Sequence, residues 1–513
     1  MSEKNWSKYQ KAVFENVATG TGHTVIRAVA GSGKTTTIVE ALKHVPPGCR
    51  TLFVAFNKGI AEELAKRAPP GVEVSTLHSY GLKTITRTLG RLRIENHRVD
   101  GLLRVMCNDG KIEVARVIAG LTGKKKPEEL EFDMRRDLAR TVSLAKGALA
   151  SEEAQIDTII DDFEIESARK SPVPGMILEQ EQLAAFRAAF IRDALALLLR
   201  CADTSDGQID FDDMIWLPVV LELPQTKFDR VFVDETQDLN PAQIEMTLRA
   251  VKGNGRICAV GDPRQAIYRF RGADSAAMNN VVDKLNATIL PLSVCYRCCK
   301  AVVREAKKTV PEIEWATDAE EGEVNNVTIQ EMKIGALPGQ FILSRTNAPL
   351  ISLCLYFLKE GRPATIRGRD IGASLAAFVK KSAANSVKDL CDYIEEWRDV
   401  ECKRLSEKRR DTQAVEDRAD CILALSEGAR TVGDVISRIE SLFADKDSAN
   451  LITLSSTHKA KGMERDVVWM LSSTYGRREG IEEQNLIYVA QTRARTTLCL
   501  VHGEFNKKKR DDQ

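Results

Sequence analysis

The sequence predicts an α/β protein built on parallel sheets, with helical segments inserted between the sheet-forming stretches. Three observations predict it. Short β-branched runs recur along the 513 residues, each followed by a turn and a helical pattern. The runs fall into two groups, residues 1–90 with 205–283 and residues 284–370 with 446–513, so two sheets are expected. The stretches between them, 91–204 and 371–445, lack that rhythm, and the first carries apolar residues at helical spacing. At about 100–200 residues per domain, the length suits three or four such parts.

The elements follow in chain order. HTVIRAV (23–29) and TLFVAF (51–56) open the first group, and DRVFVDE (229–235) and RICAVGD (256–262) close it. Between them, DMRRDLARTVSLAKGALA (133–150) and EQLAAFRAAFIRDALALLLR (181–200) read as helices of an inserted domain. QFILS (340–344), LITLS (451–455), DVVWML (466–471) and TTLCLV (496–501) form the second group. The charge-dense ECKRLSEKRRDTQAVEDRAD (401–420) reads as a helix with a solvated face, and NKKKRDDQ as a frayed end.

Composition excludes several classes. Hydrophobic residues are 43% and charged residues 29% of the chain, the balance of a soluble, core-forming protein. No apolar run reaches the roughly 18 residues that span a bilayer. MSEKNWSKYQKAV lacks the apolar segment of a secretory signal. Twelve scattered cysteines read as reduced thiols in a cytoplasmic type of compartment, and no membrane partner is expected. Lys and Arg (74) nearly cancel Asp and Glu (73), so any polyanion site is a local groove.

Residues 28–36, AVAGSGKTT, lie directly after the first strand and before a helix, the pattern of a phosphate-binding loop with Ala28 at the first Gly position. Ala30, Gly31, Ser32 and Gly33 would wrap backbone N–H groups around the phosphates. Lys34 would reach the β/γ-phosphates, and Thr35 would offer its hydroxyl to Mg²⁺ beside Thr36. VFVDETQD (231–238) puts Asp234 at a strand end, where it can hold the same metal. Glu235 beside it suits a general base for water. Arg297, after the strand-like LPLSVCY, and Arg493, in YVAQTRA, could complete a γ-phosphate clamp, although spacing alone makes each an ordinary ion-pair partner.

Read in order, the runs KYQKAV, AVAGSGKTT, LFVAFNKGIAEEL, STLHSYG, DFDDM, VDETQD, AVGDPRQAIYRFRGAD, CYR, LSRTNA, THKAKGME and YVAQTRA resemble the UvrD/Rep-like superfamily 1 DNA helicases from residue 8 to about 501. The resemblance implies two RecA-like motor domains of the P-loop NTPase fold. It also implies Mg²⁺-ATP hydrolysis between those domains and 3′→5′ movement on single-stranded or tailed duplex DNA. It implies that Gln10 reads adenine, Tyr296 stacks on the base, Gln265 senses the γ-phosphate, and Arg297 and Arg493 contact that phosphate. Glu464 then contacts the ribose, with Gly462 in the same motif. Phe56, Asn57, His78, Tyr268, Phe270, Arg271, His458 and Lys461 fall at the family's DNA-contact motifs.

Three departures stand out. AFNKGIA replaces the usual TFTNKAA, displacing Asn57 and Lys58 by one position relative to Phe56. Arg465 stands where an aromatic usually follows the acid. The segment from LSRTNA to THKAKG is short, so the second accessory subdomain, 371–445, is expected to be reduced. Cys295, Cys298 and Cys299 read as buried thiols, because a structural zinc site wants paired short spacings. The leading function is an ATP-dependent DNA helicase or translocase. A reading from another class is an ATP-dependent, DNA-sensing regulatory subunit of a nuclease, defence or recombination complex. Its nuclease, or a replication or repair partner, would be a separate chain.

Overall fold

The computed structural model describes residues 5–123, 130–173, 176, 178–267, 272, 276–407, 412–443, 450–476 and 480–503. The chain divides into two compact units, Met1–Ala28 with Lys34–Leu292, and Val29–Gly33 with Ser293–Gln513. Among the described residues no helix is long and apolar enough to cross a membrane.

The first unit holds a six-stranded parallel sheet of β1 (Thr24–Ala28), β2 (Thr51–Ala55), β3 (Val72–Thr76), β4 (Phe228–Val233), β5 (Val251–Gly261) and β6 (Thr288–Leu292). Their order across the sheet is β3-β2-β4-β5-β1-β6. Side chains alternate between two cores, as a sheet covered on both faces requires. Val25, Leu52, Val54, Val231 and Val233 enter one, while Ile26, Ala28, Phe53, Ala55 and Phe232 enter the other. Because β6 pairs with β1 from Thr24↔Thr288 to Ala28↔Leu292, the first sheet runs past the expected 283/284 boundary.

Helices Arg98–Asn108, Glu113–Thr122, Phe132–Ala148, Glu153–Asp162 and Gln180–Ala202 pack around Leu103, Leu138, Ile156, Phe186 and Phe190. The chain leaves and rejoins the sheet region through the short parallel pair Arg93–Ile94 and Gln208–Ile209. A buried charge cluster lies beside that pair. Lys146 Nζ is 2.8 Å from Asp213 Oδ1 and also bonds Asp210, and Arg98 Nη1 donates to Asp213 Oδ2 at 2.8 Å.

The second unit's six-stranded parallel sheet contains β7 (Glu323–Thr328), β8 (Phe341–Ser344), β9 (Ala364–Ile366), β10 (Ile452–Ser456), β11 (Arg465–Leu471) and β12 (Ala494–His502). Its order is β7-β12-β11-β8-β10-β9. Helices Arg369–Lys381, Val387–Glu407, Gln413–Ser426 and Val432–Leu442 fill most of the second inserted stretch. Their Leu375, Leu390, Ile422 and Ile439 share one core with Ile342 and Leu454 of the sheet and Leu350 of helix Ala348–Lys359. Asp417 ties them further, accepting the Asn347 N–H at 2.9 Å and the Ala348 N–H at 2.6 Å at the start of helix Ala348–Lys359. These helices are therefore built into the second unit's core.

Candidate functional site

In the first unit, β1 delivers the chain to helix Lys34–Ala41, which carries Lys34, Thr35 and Thr36 in its first turn. β4, two strands away, ends beside it, and Asp234 and Glu235 follow its last residue. Thr35 Oγ1 donates to Asp234 Oδ2 at 3.4 Å, and Lys34 Nζ stands 3.7 Å from Glu235 Oε1. Burial, reinforced by the neighbouring Glu235 charge, pushes the Asp234 carboxyl up to about 7, against the pull of Lys34. A hydroxyl and a carboxylate this close are hard oxygen donors of the kind Mg²⁺ takes.

Glu235 itself has φ 50°, a left-handed backbone that a non-glycine residue adopts at a cost. Its carboxylate is held by Gln237, whose Nε2 donates to Oε2 at 2.5 Å. The other end of that amide, Gln237 Oε1, accepts the Asp262 N–H at 3.0 Å. Asp262 Oδ2 in turn accepts Gln265 Nε2 at 2.7 Å, and burial raises the Asp262 carboxyl. Glu235 and Gln265 thus connect through two residues that sequence reasoning left without roles, although both stand in quoted runs.

Gln10 is buried and works as a helix cap. Its Oε1 accepts the Ser7 N–H at 3.1 Å and its Nε2 donates to Thr37 Oγ1 at 2.9 Å. Asn57 also caps, accepting the Ile60 N–H at 2.9 Å at the start of helix Lys58–Arg67. Tyr268, Phe270 and Arg271 lie outside the described residues.

Phe56 stands 45% exposed just past β2. It shares the lining of a cavity of about 450 Å³ with His78, Phe211, Lys146, Trp216, Asn240 and Gly272. His78 and Phe211 stack at 4.0 Å with 25° between their planes. Phe211 belongs to the DFDDM run and was given no function from sequence, although an aromatic among acids was a visible signal. Burial lowers the His78 ring to about 4, so it is neutral at pH 7.

The second unit gathers the remaining residues. Its segment Val29–Gly33 is fixed by the Ala30 N–H, which donates to Tyr488 Oη at 2.8 Å, and by Gly31 O, which accepts the Tyr296 N–H at 2.8 Å. Gly31 has φ 68° and no room for a side chain, since a Cβ would lie 2.6 Å from Arg297 Cβ and 2.8 Å from Cys295 Sγ. Ser32 Oγ is buried without a hydrogen-bond partner among the described residues, a polar atom that a phosphate oxygen would satisfy. Gly33 likewise takes a positive φ of 74°.

Tyr296 is exposed, and Arg297 bonds the Glu464 carboxylate while its Nη1 donates to Thr492 O at 3.4 Å. Arg493 is fully buried. Its Nε donates to Val489 O at 2.8 Å, its Nη1 to Met463 O at 3.1 Å and its Nη2 to Thr492 Oγ1 at 3.2 Å. Burial and the nearby Arg297 charge lower the Arg493 guanidinium to about 10. Glu464, expected at a ribose, is thus engaged by Arg297 and by Arg495 at 3.8 Å. Arg465 covers the Phe341 ring, its guanidinium 4.5 Å from the centroid. His458 and Lys461 are half-buried in and just after helix Thr457–Ala460, and Gly462 is exposed at φ 84°.

The sequence matches the UvrD/REP helicase N-terminal domain over residues 8–286 and the UvrD-like helicase C-terminal domain over residues 451–501. It is 29% identical over 321 residues to the ATP-dependent DNA helicase PcrA of Bacillus subtilis (strain 168), covering 58% of this chain and 38% of that protein. It is 24% identical over 530 residues to the F-box DNA helicase protein 1 of Schizosaccharomyces pombe (strain 972 / ATCC 24843), covering 93% of this chain and 55% of the relative. The PcrA of Staphylococcus aureus (strain Mu50 / ATCC 700699) is 24% identical over 428 residues, with 74% and 52% covered. The chain therefore spans between about a third and a little over half of each relative's length. With the N-terminal domain match alone extending over more than half of it, the chain belongs to the UvrD/REP helicase family.

Proposed function

We propose that the chain is an ATP-dependent DNA helicase or translocase that moves 3′→5′ along a single strand. The observation that carries this reading is the grouping of Lys34, Thr35, Asp234 and Glu235 at the ends of β1 and β4. In it, Thr35 and Asp234 hold Mg²⁺, and Lys34 with the N–H groups of Ala30–Gly33 holds the phosphates. When bound, the metal neutralises charge on the β- and γ-phosphate oxygens. Glu235 takes the proton of the attacking water, and Gln237 keeps that carboxylate aimed. Arg297 and Arg493 supply positive charge to the γ-phosphate, Tyr296 stacks on the base, and Glu464 turns from Arg297 to the ribose. Unpaired bases stack on Phe56, His78 and Phe211, because an aromatic shelf accepts any base. Resemblance to the family is the support for the polarity.

The test is ATPase and strand separation measured in parallel on 3′-tailed, 5′-tailed and blunt duplexes across salt concentrations. Unwinding of the 3′-tailed duplex alone is the expected result. DNA-stimulated ATPase without separation on any duplex would favour the regulatory-subunit reading, in which a partner nuclease does the cutting.

A further inference from the structure

The first arginine of the second unit sits inside a C-x-x-C run, Cys295-Tyr296-Arg297-Cys298, and the proposed function makes no use of its two thiols. The run forms a strand-to-helix turn: Val294–Cys295 is a short strand, and helix Lys300–Ala306 follows Cys299. The Cys298 backbone N–H donates to Cys295 Sγ at 3.4 Å, and the Cys298 thiol hydrogen-bonds the same sulfur. That thiol also reaches the carbonyl of Thr492, at 3.6 Å, the residue on which Arg297 and Arg493 converge. Cys295 Sγ meanwhile packs against Gly31, leaving no space for a Cβ there. The two cysteines therefore lie side by side, with Cys295 against the glycine loop and Cys298 on the shared partner of both arginines.

We propose that Cys295 and Cys298 form a redox switch, closing to a disulfide under hydroperoxide and so disarming the nucleotide site. Hydrogen bonds from the Cys298 thiol and backbone lower the Cys295 thiol against the effect of burial, which makes Cys295 the nucleophile of the pair. The thiolate attacks one peroxide oxygen and breaks the O–O bond. Cys295 becomes a sulfenic acid and the departing hydroxide takes a proton to become water. Cys298 sulfur then displaces the sulfenic hydroxyl, which leaves as a second water carrying the Cys298 proton. Overall two thiols lose two electrons and two protons, and one hydrogen peroxide is reduced to two waters. Both cysteines are at most 3% exposed, which favours a small peroxide over a bulky disulfide as oxidant.

Closing the bond brings the sulfurs to about 2.05 Å and draws Cys295 Sγ off Gly31. The intervening Tyr296 and Arg297 then shift, and with them the Tyr296 N–H bond to Gly31 O. The spacing is one that forms and breaks reversibly in reduced compartments, unlike a structural bridge. The inference rests on the helicase reading for its consequence, but the disulfide itself is read independently of activity.

The full chain is treated with hydrogen peroxide, quenched with catalase, alkylated under denaturing conditions and digested with trypsin without reductant. Cleavage after Arg297 puts the two cysteines on separate peptides, so the bridge registers as a reducible cross-link between Cys295 and Cys298, with Cys299 alkylated. DNA-stimulated ATPase is expected to fall roughly tenfold or more and to return with dithiothreitol. Cys298→Ser should form no cross-link and keep its ATPase through the same treatment. Absence of the cross-link, a cross-link that leaves ATPase unchanged, or equal losses in wild type and Cys298→Ser would each overturn the switch. Should the reduced protein prove to have no ATPase, the helicase reading fails. The dithiol is then judged by the cross-link and by binding of a fluorescent ATP analogue before and after oxidation.

Discussion

Gln237 grips Glu235: its side-chain N–H donates to Glu235 Oε2 at 2.5 Å, and its oxygen takes the Asp262 N–H at 3.0 Å. One amide thus fixes the proposed base from the side away from Lys34 and ties it to the turn carrying Gln265. Glu235 needs such a hold because its backbone sits at φ 50°.

Gln237→Ala should therefore slow turnover more than it weakens ATP. We expect kcat to fall about 10- to 100-fold, the usual cost of losing a group that orients a catalytic one. KM for ATP should hardly change, because Gln237 makes no phosphate contact in this scheme. A KM effect with an unchanged kcat would assign Gln237 to binding instead.

Glu235→Gln keeps the shape of the side chain and removes its basicity. ATP binding should survive while turnover drops by roughly 100- to 10,000-fold. Single-turnover ATPase checks this directly, and wild-type rates would remove Glu235 from the chemistry.

Each of these residues stood in a run that the sequence singled out, yet only the fold revealed Gln237 and Asp262 as a bridge. A hydrogen bond between residues 25 positions apart leaves no periodic trace. The sheets were legible in the same uneven way. Their central strands, β1, β2, β4, β5, β8, β10, β11 and β12, are apolar runs because both faces are covered. Three of the four edge strands were harder. VEVST (72–76) carries Glu73, EVNNVT (323–328) is mostly polar, and Ala364–Ile366 is three residues long. Polar and short edges resist further pairing, and the same features hide them from a hydrophobic pattern. The second insertion was visible as helical. Its fusion with the sheet core through Leu375, Leu390 and Ile422 was not, since burial against a distant partner has no local signature.

Phe211 faces the same cavity as Phe56 and His78, so removing its ring should weaken DNA without touching the phosphate site. Phe211→Ala should lower single-strand affinity by about 1–3 kcal/mol, the worth of one base stack. ATPase in the absence of DNA should hold. Fluorescence anisotropy with an oligonucleotide measures the first, and unchanged affinity would take Phe211 out of the DNA track.

The neutral ring of His78 carries a pH signature. Burial lowers its folded-state value to about 4 from an ordinary 6.5, so the unfolded chain binds the proton first on acidification. Its contribution is intact above about 6.5 and is lost as pH falls from there toward about 4. Between about pH 7.5 and pH 5, wild type should lose more stability than His78→Phe, read from denaturant midpoints. Parallel losses in the two proteins would mean that His78 titrates normally.

Lys146 decides how firmly the first insertion is rooted. Burial alone would lower its ammonium, but Asp213 and Asp210 outweigh burial and raise it, so it stays charged through neutral pH. Arg98 shares Asp213, from helix Arg98–Asn108, which also packs on Phe132–Ala148. Lys146→Met would leave Asp210 buried without its cation while Arg98 still serves Asp213. Breaking a buried pair from one side costs about 3–5 kcal/mol, because a carboxylate is left out of water and unpaired. Adding Asp210→Asn removes that stranded charge and should restore much of the loss. Denaturant unfolding, with hydrogen exchange on helices Arg98–Asn108 and Phe132–Ala148, reads both effects. Equal stability of wild type and Lys146→Met would show that the cluster contributes nothing to holding the insertion.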